Sequence, residues 1–272
     1  MLDKIKRYID GMSRPGKWSK AQLFFVKAVY IWFLINVVFI WSDRNFIWGS
    51  ESVLMRTGGA SSWITNLAYA LVFKPSLFNW IFPLHIISIV ASLFDKKWSF
   101  IPRTLVWITG TLLYFAGYNA FNAGFILMNL LAFFTIPFYS KAKHPIRHVM
   151  NHISILGAQL QVILVYGSSA LYKLNGESWL YGEAVYYTLS NPRFSTNYIL
   201  DSGILKNVLL MKISSYLALI YQIVFPVGVW IKKIKKPLLY FGIAFHLIIG
   251  AVMNLWDFSL AMMASYFVFF KD

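Results

Sequence analysis

The sequence predicts an all-α integral membrane protein, a polytopic bundle of about eight transmembrane helices in a single domain over residues 1–272, with both termini cytoplasmic. Three observations carry this. Of the 272 residues 58% are hydrophobic and only 13% charged, whereas a soluble domain carries about a quarter charged residues. Apolar runs close to spanning length follow one another from residue 21 almost to residue 270. The basic residues fall in short clusters between those runs, the pattern that membrane topology produces.

In chain order, a basic segment (Lys4, Lys6, Arg7, Arg14, Lys17, Lys20) precedes the first run, residues 21–42. That run is long enough to span and no small-residue cleavage site follows it, so it reads as an uncleaved first helix. Further spans are expected over residues 78–94, 101–118, 120–139, 152–173, 207–231, 237–254 and 257–270, the last short enough to end inside the bilayer. Pro83, Pro137 and Pro226 fall in or near these helices, where packed neighbours make them tolerable.

With the N-terminus inside, the inner connections hold 17 of the 25 lysines and arginines: the segment 1–20, the turns with Lys96, Lys97 and Arg103 and with Lys141, Lys143 and Arg147, the run Lys232–Lys236, and Lys271. Arg44, Arg56, Lys74, Lys173, Arg193, Lys206 and Lys212 are left outside, and Lys27 lies within the first helix. The bias satisfies the positive-inside rule with an even number of spans. Every inner connection is short, while two outer ones are long, residues 43–77 and 174–206. Both carry aromatic residues (Trp48, Trp63 and Tyr69; Trp179, Tyr181, Tyr186 and Tyr187) expected on interfacial helices or loops.

The net charge of +15 does not imply a nucleic-acid partner, because its sources are topogenic clusters rather than one basic face. The absence of cysteine excludes disulfides, thiolate catalysis and cysteine metal sites. No internal repeat or phosphate-binding glycine loop is present.

The most informative stretch runs from Tyr166 to Leu189. Lys173 sits at the outer end of a helix otherwise free of charge, after Gly167, Ser168 and Ser169, which allow close helix packing. Desolvation penalises an ammonium, which is how a lysine becomes a general base. A lysine snorkelling to the interface would occupy the same place.

The run Lys173-Leu-x-Gly176-x-x-Trp179-x-x-Gly182, with Tyr186 and Leu189, resembles the membrane domain of vitamin K-dependent γ-carboxylase, and especially its bacterial relatives, the horizontally transferred transmembrane (HTTM) family. Two patches agree: Phe245-His246 with Gly250, Trp256-Asp257-Phe258 and Met262, and Asn122 through Leu130-Leu131-Ala132-Phe133. The resemblance covers residues 119–270; the first 118 residues fit only by hydropathy. It implies Lys173 as the base that deprotonates a reduced, vitamin K-like quinone, His246 as a catalytic residue lining an outward-facing cavity, and Trp179, Tyr186, Asn122 and Trp256 against the quinone. Oxygenation of the quinol then drives removal of a glutamyl γ-proton, and carbon dioxide traps the carbanion. Gly124 stands where the carboxylase has a histidine, and glycine offers a carbanion neither proton nor charge. Carboxylation itself is therefore in doubt, and the family's large lumenal substrate-binding domain has no counterpart in these residues.

His85, mid-helix, is expected to make a structural hydrogen bond. His144, His148 and His152 share one helical face, but they lie among cations without a carboxylate, so a solvated face and no metal site are expected. Glu177, Glu183 or Asp257 could pair with Lys173, and Arg44, Arg56 and Arg193 are outer-side cations suited to solvent, a peptide carboxylate or a lipid headgroup.

The leading expectation is a carboxylase-like enzyme of the bacterial inner membrane with its active side facing outward. Its partners would be the bilayer and an exported peptide or partner subunit. The alternatives are a non-catalytic maturation or immunity factor for such a peptide, and a transporter, which the missing repeat and the lack of intramembrane carboxylates weaken.

Overall fold

The structure is a computed structural model that describes Met12 and residues 18–48, 63–117 and 120–270. Most of the basic segment 1–20, Arg56, Lys271 and part of the 43–77 connection lie outside the described residues. Every regular element among the described residues is helical. Among the described residues four helices are long and apolar enough to cross a membrane: Lys20–Ile40, Pro145–Leu174, Val208–Gly228 and Lys232–Met253. The chain divides into two compact units, one holding the described residues up to Ala158 with Phe270, the other Gln159–Phe269.

The first unit opens with α1 (Lys20–Ile40), started by a capping box in which Ser19 Oγ accepts from Gln22 N–H at 3.0 Å and Gln22 Oε1 accepts from Ser19 N–H at 3.2 Å. After α2 (Arg44–Trp48) come α3 (Trp63–Val72) and α4 (Pro75–Ser92), which meet at 99°. Proline at the start of α4 fits this break, since the residue before it is driven to extended backbone. The 43–77 connection therefore contains a ten-residue helix. Two shorter apolar helices follow, α5 (Phe100–Ala116) and α6 (Ala123–Thr135). Helix α5 packs on α3, α4 and α6, and α1 packs on α4 and α6.

Several polar groups in this core find partners within it. Trp48, fully buried, donates Nε1–H to the Leu113 carbonyl at 2.8 Å. Tyr30 and Thr135 share a hydrogen bond at 2.6 Å, and Asn129 donates to Thr111 at 2.8 Å. His85 bonds Thr109 at 2.7 Å through Nδ1, the structural role expected of it.

Arg103 departs from its reading as a topogenic loop cation. It is 1% exposed and donates to the Thr135 carbonyl at 3.2 Å and to the Phe138 carbonyl. It thereby binds carbonyls at and just beyond the C-terminal end of α6, where a cation also meets the negative end of the helix dipole. The histidine face is likewise not simply solvated: His148 is buried and the His152 ring packs 4.8 Å from that of Trp18.

Helix α7 (Pro145–Leu174) starts seven residues before the expected span, with proline in its first turn. Its 30 residues cover about 45 Å, more than the ~30 Å hydrocarbon core. In the second unit it continues through Gln159–Leu174. The expected 174–206 connection is a string of short helical pieces: α8 (Glu177–Leu180), α9 (Ala184–Leu189), a 3-10 turn at Pro192–Phe194, α10 (Asn197–Asp201) and a second 3-10 turn at Ile204–Lys206. Helices α11 (Val208–Gly228), α12 (Lys232–Met253) and α13 (Trp256–Tyr266) complete the unit. The lysine run Lys232–Lys236, expected in a loop, forms the first turns of α12.

Helix α12 is inverted relative to a soluble amphipathic helix. Its buried positions are Leu239, Gly242, His246 and Gly250, a narrow stripe of small and polar residues, while Leu247 and Ile248 are exposed. Small and polar contacts inward with apolar residues outward are what lipid selects, because hydrocarbon supplies no hydrophobic drive between helices. Asn254, left-handed at φ 53°, ends α12 and turns the chain into α13, which packs back on it.

Replacing Arg103 by Leu leaves the Thr135 and Phe138 carbonyls without their buried donor. We predict a loss of about 3 kcal/mol, against less than about 0.5 kcal/mol for Lys97→Ala at the surface. Thermal unfolding in detergent measures both, and equal midpoints for the two variants would contradict this role for Arg103.

Candidate functional site

The second unit encloses a cavity of about 600 Å³, within the range of roughly 300–1,000 Å³ found for small-molecule sites. Helix α7 supplies one wall, with Tyr166, Ser169 and Lys173 at positions i, i+3 and i+7 on one face. Met211, Ala218 and Gln222 of α11, and His246, Ile249 and Met253 of α12, supply two more. The 174–206 segment closes the site with Trp179, Val185, Leu189 and Ile199.

That segment is held in place by its own contacts. Leu189 and Ile199 pack with Met211 and are flanked by Val252 and Met253. Thr196 N–H donates to the Val252 carbonyl at 3.1 Å, Val185 N–H to Ser215 Oγ at 3.0 Å, and Tyr216 Oη–H to the Leu180 carbonyl at 3.0 Å. Gly182, at φ 76°, makes the turn between α8 and α9 in a conformation glycine adopts without strain.

Lys173 is the one lysine or arginine lining the cavity, and no carboxylate lines it among the described residues. Its Nζ donates to Gln222 Oε1 at 2.8 Å and lies 4.4 Å from the centre of the Trp179 ring. Ser169 Oγ–H donates to the same Gln222 oxygen at 3.1 Å. Neutral groups thus hold the ammonium, a carbonyl oxygen on one side and an aromatic face on the other. The sequence allowed a carboxylate partner, but Glu177, Glu183 and Asp257 are not among the lining residues.

A second cluster continues from Tyr166. Its hydroxyl is hydrogen-bonded to His246 Nε2 at 2.8 Å and to the Tyr266 hydroxyl, which also meets Tyr221 Oη at 3.0 Å. Gly242 makes this possible, since a Cβ there would sit 2.6 Å from Tyr266 Oη. His246 is 2% exposed, and its Nδ1 has no hydrogen-bond partner among the described residues. One ring nitrogen is engaged, the other is buried without a partner, and the residue lines the cavity.

Of the residues singled out in the sequence, Lys173, Trp179 and His246 line this cavity. Tyr186 does not; it is 43% exposed, with its ring 5.6 Å from that of Tyr187. Trp256, 41% exposed, lies against Gly250 outside the lining set. Asn122 belongs to the first unit, where its side chain caps α6 by accepting from Gly124 N–H at 2.8 Å. Gln222, Tyr221 and Tyr266 were not anticipated, and Tyr166, which opens the Tyr166–Leu189 stretch, was given no role of its own. A usable signal existed for Gln222, the single amide side chain in the 208–228 run. Among the described residues no group of three or more His, Asp or Glu side chains is arranged to hold a metal ion.

No family model, curated protein or solved structure matches the chain.

The Tyr166–His246 bond should appear in a double-mutant cycle. With Tyr166→Phe and His246→Leu, a coupling of about 1 kcal/mol is expected for unfolding in micelles. Tyr186→Phe should couple to neither, and strictly additive losses at Tyr166 and His246 would contradict the bond.

Proposed function

We propose that this protein is an eight-span protein of the bacterial cytoplasmic membrane, related to the membrane domain of γ-carboxylase, which binds a reduced quinone in the cavity of its second unit and uses Lys173 as general base. The observation that carries the reading is the setting of Lys173: held by neutral groups in an otherwise apolar, membrane-type cavity, with no carboxylate and no second cation in its lining among the described residues.

The residues present suit such a ligand. The apolar walls match a flat ring with a hydrocarbon tail, and Met211, Ile249 and Met253 would lie along it. A ring hydroxyl needs a proton acceptor, which Lys173 supplies in its amine form, and a polar partner for its second oxygen, for which His246 is the candidate in the cavity wall. Bound there, a reduced quinone together with oxygen supplies the driving force to remove an otherwise unreactive substrate proton.

The chain's own part is to take and hold the first proton. The Gln222 oxygen and the Trp179 face both bind an ammonium more strongly than an amine, so they favour the proton's arrival at Nζ. Ser169 keeps the Gln222 oxygen turned toward Lys173. The 174–206 segment excludes water, which strengthens these interactions. The proposal stops at proton removal, because Gly124 offers nothing to a carbanion.

The charge distribution of the sequence supports both termini inside and Lys173 outside. A second reading, a non-catalytic maturation factor for an exported peptide, is favoured by aromatic side chains the same segment turns outward, among them Tyr181, Tyr187 and Tyr198.

Purified protein supplied with reduced quinone and oxygen should form quinone epoxide. Lys173→Ala and Lys173→Met should lower the rate about a hundredfold or more while remaining folded, and Gln222→Leu should lower it less. Absence of turnover with every reduced quinone tried, or full activity in Lys173→Ala, would overturn the proposal. A peptide-maturation assay that survives Lys173→Ala would favour the second reading.

A further inference from the structure

A second cavity, of about 370 Å³, lies wholly within the first unit, between the first part of α1 and the turns around residues 93–96 and 138–141. Lys27, Lys96, Arg103 and Lys141 line it, with Asp95 as the single carboxylate. Asp95 accepts from Ser140 N–H at 3.2 Å and from Ser140 Oγ–H, and stands 3.9 Å from Arg103 Nη2. The lining therefore keeps a charge excess of about three after that contact. No ion pair joins Lys27, Lys96 or Lys141 to a carboxylate among the described residues.

Two of these cations are not accounted for by topology. Lys27 lies within α1, roughly 10 Å along the axis from Lys20, in a stretch that is otherwise strongly apolar. A lysine at that depth needs a counter-charge or a route to the interface. Arg103 is buried, and although its Nη groups are engaged, its Nε has no hydrogen-bond partner among the described residues. A buried guanidinium in the wall of a basic cavity adds its field to that of the exposed lysines.

The remaining walls are apolar, formed by Leu23, Val26, Leu93 and Phe94. Phe94 and the neighbouring Trp98 are exposed, as aromatic residues are at the headgroup level. Cations at one place and apolar surface beside them fit a phosphate that carries acyl chains better than a free phosphate ion. Basic pockets between membrane helices on the side rich in lysine and arginine bind such headgroups.

We propose that this cavity is a binding site for an anionic phospholipid, with the phosphate held by Lys27 and Lys141 in the field of the buried Arg103 and the acyl chain lying along Leu23 and Phe94. The site is separate from the Lys173 cavity and does not depend on any chemistry there.

The test uses the full chain purified in detergent and titrated with phosphatidylglycerol or phosphatidylcholine, bound lipid being counted by native mass spectrometry. Lys27→Gln with Lys141→Gln removes two exposed cations without disturbing the buried Arg103. We expect wild type to prefer phosphatidylglycerol by about tenfold or more and the double variant to lose that preference. Equal retention of the two lipids by wild type, or an unchanged preference in the variant, would overturn the proposal. So would soluble glycerol phosphate binding as tightly as the lipid, which would make the ligand a free anion.

Discussion

A polar side chain carried into an apolar helix bundle must find its hydrogen bonds inside the bundle, because hydrocarbon offers none. In the first unit this constraint pairs Tyr30 with Thr135, His85 with Thr109 and Trp48 with the Leu113 carbonyl, and it draws Arg103 onto the carbonyls at the end of α6. In the second unit it ties Tyr166, Tyr221 and Tyr266 to His246, with Gly242 giving the room. Lys173 is a sparingly satisfied cation: its partners are one amide oxygen and one ring face. The fold can keep such a group because the surrounding contacts fix the helices that carry it. The same imbalance gives the group its chemical potential.

How far the sequence revealed this depends on what each signal measures. Hydropathy located a helix at each of the eight expected segments, since it registers transfer into an apolar phase. Four of them, among them α1 and α11, meet the length and apolarity of a full span, whereas α5 and α6 are shorter. It misplaced ends that continue into polar residues: α7 begins at Pro145 and α12 at Lys232, because helix geometry does not stop where hydrocarbon does. It left α3, which falls in the 43–77 connection, as an interfacial helix or loop without bounds, and read Arg103 as a loop cation. A lysine or arginine count is blind to which side chain turns inward.

The site was legible where its residues lie close together in the chain. Lys173 with Ser169 and Trp179 lie within eleven positions of each other in the chain, and their setting could be argued from local spacing. Gln222 lies 49 positions from Lys173, and Tyr266 lies 100 positions from Tyr166. Such pairings come from how α7, α11 and α13 face one another, and no periodicity within one segment encodes them. Asn122 shows the converse: a residue chosen by resemblance has a sufficient local role as the cap of α6. Tyr186 and Trp256 sit near the cavity in sequence while their rings are substantially exposed, which spacing alone could not decide.

The central claim is that the cavity walled by α7, α11 and α12 binds a lipophilic ring molecule beside Lys173. Photolabelling of the detergent-purified protein with an azido-quinone, followed by peptide mapping, tests it most directly. The account predicts label on the stretches 165–173, 211–222 and 246–262, displaced by excess unlabelled quinone. Label confined to other helices, or unaffected by competitor, would contradict it.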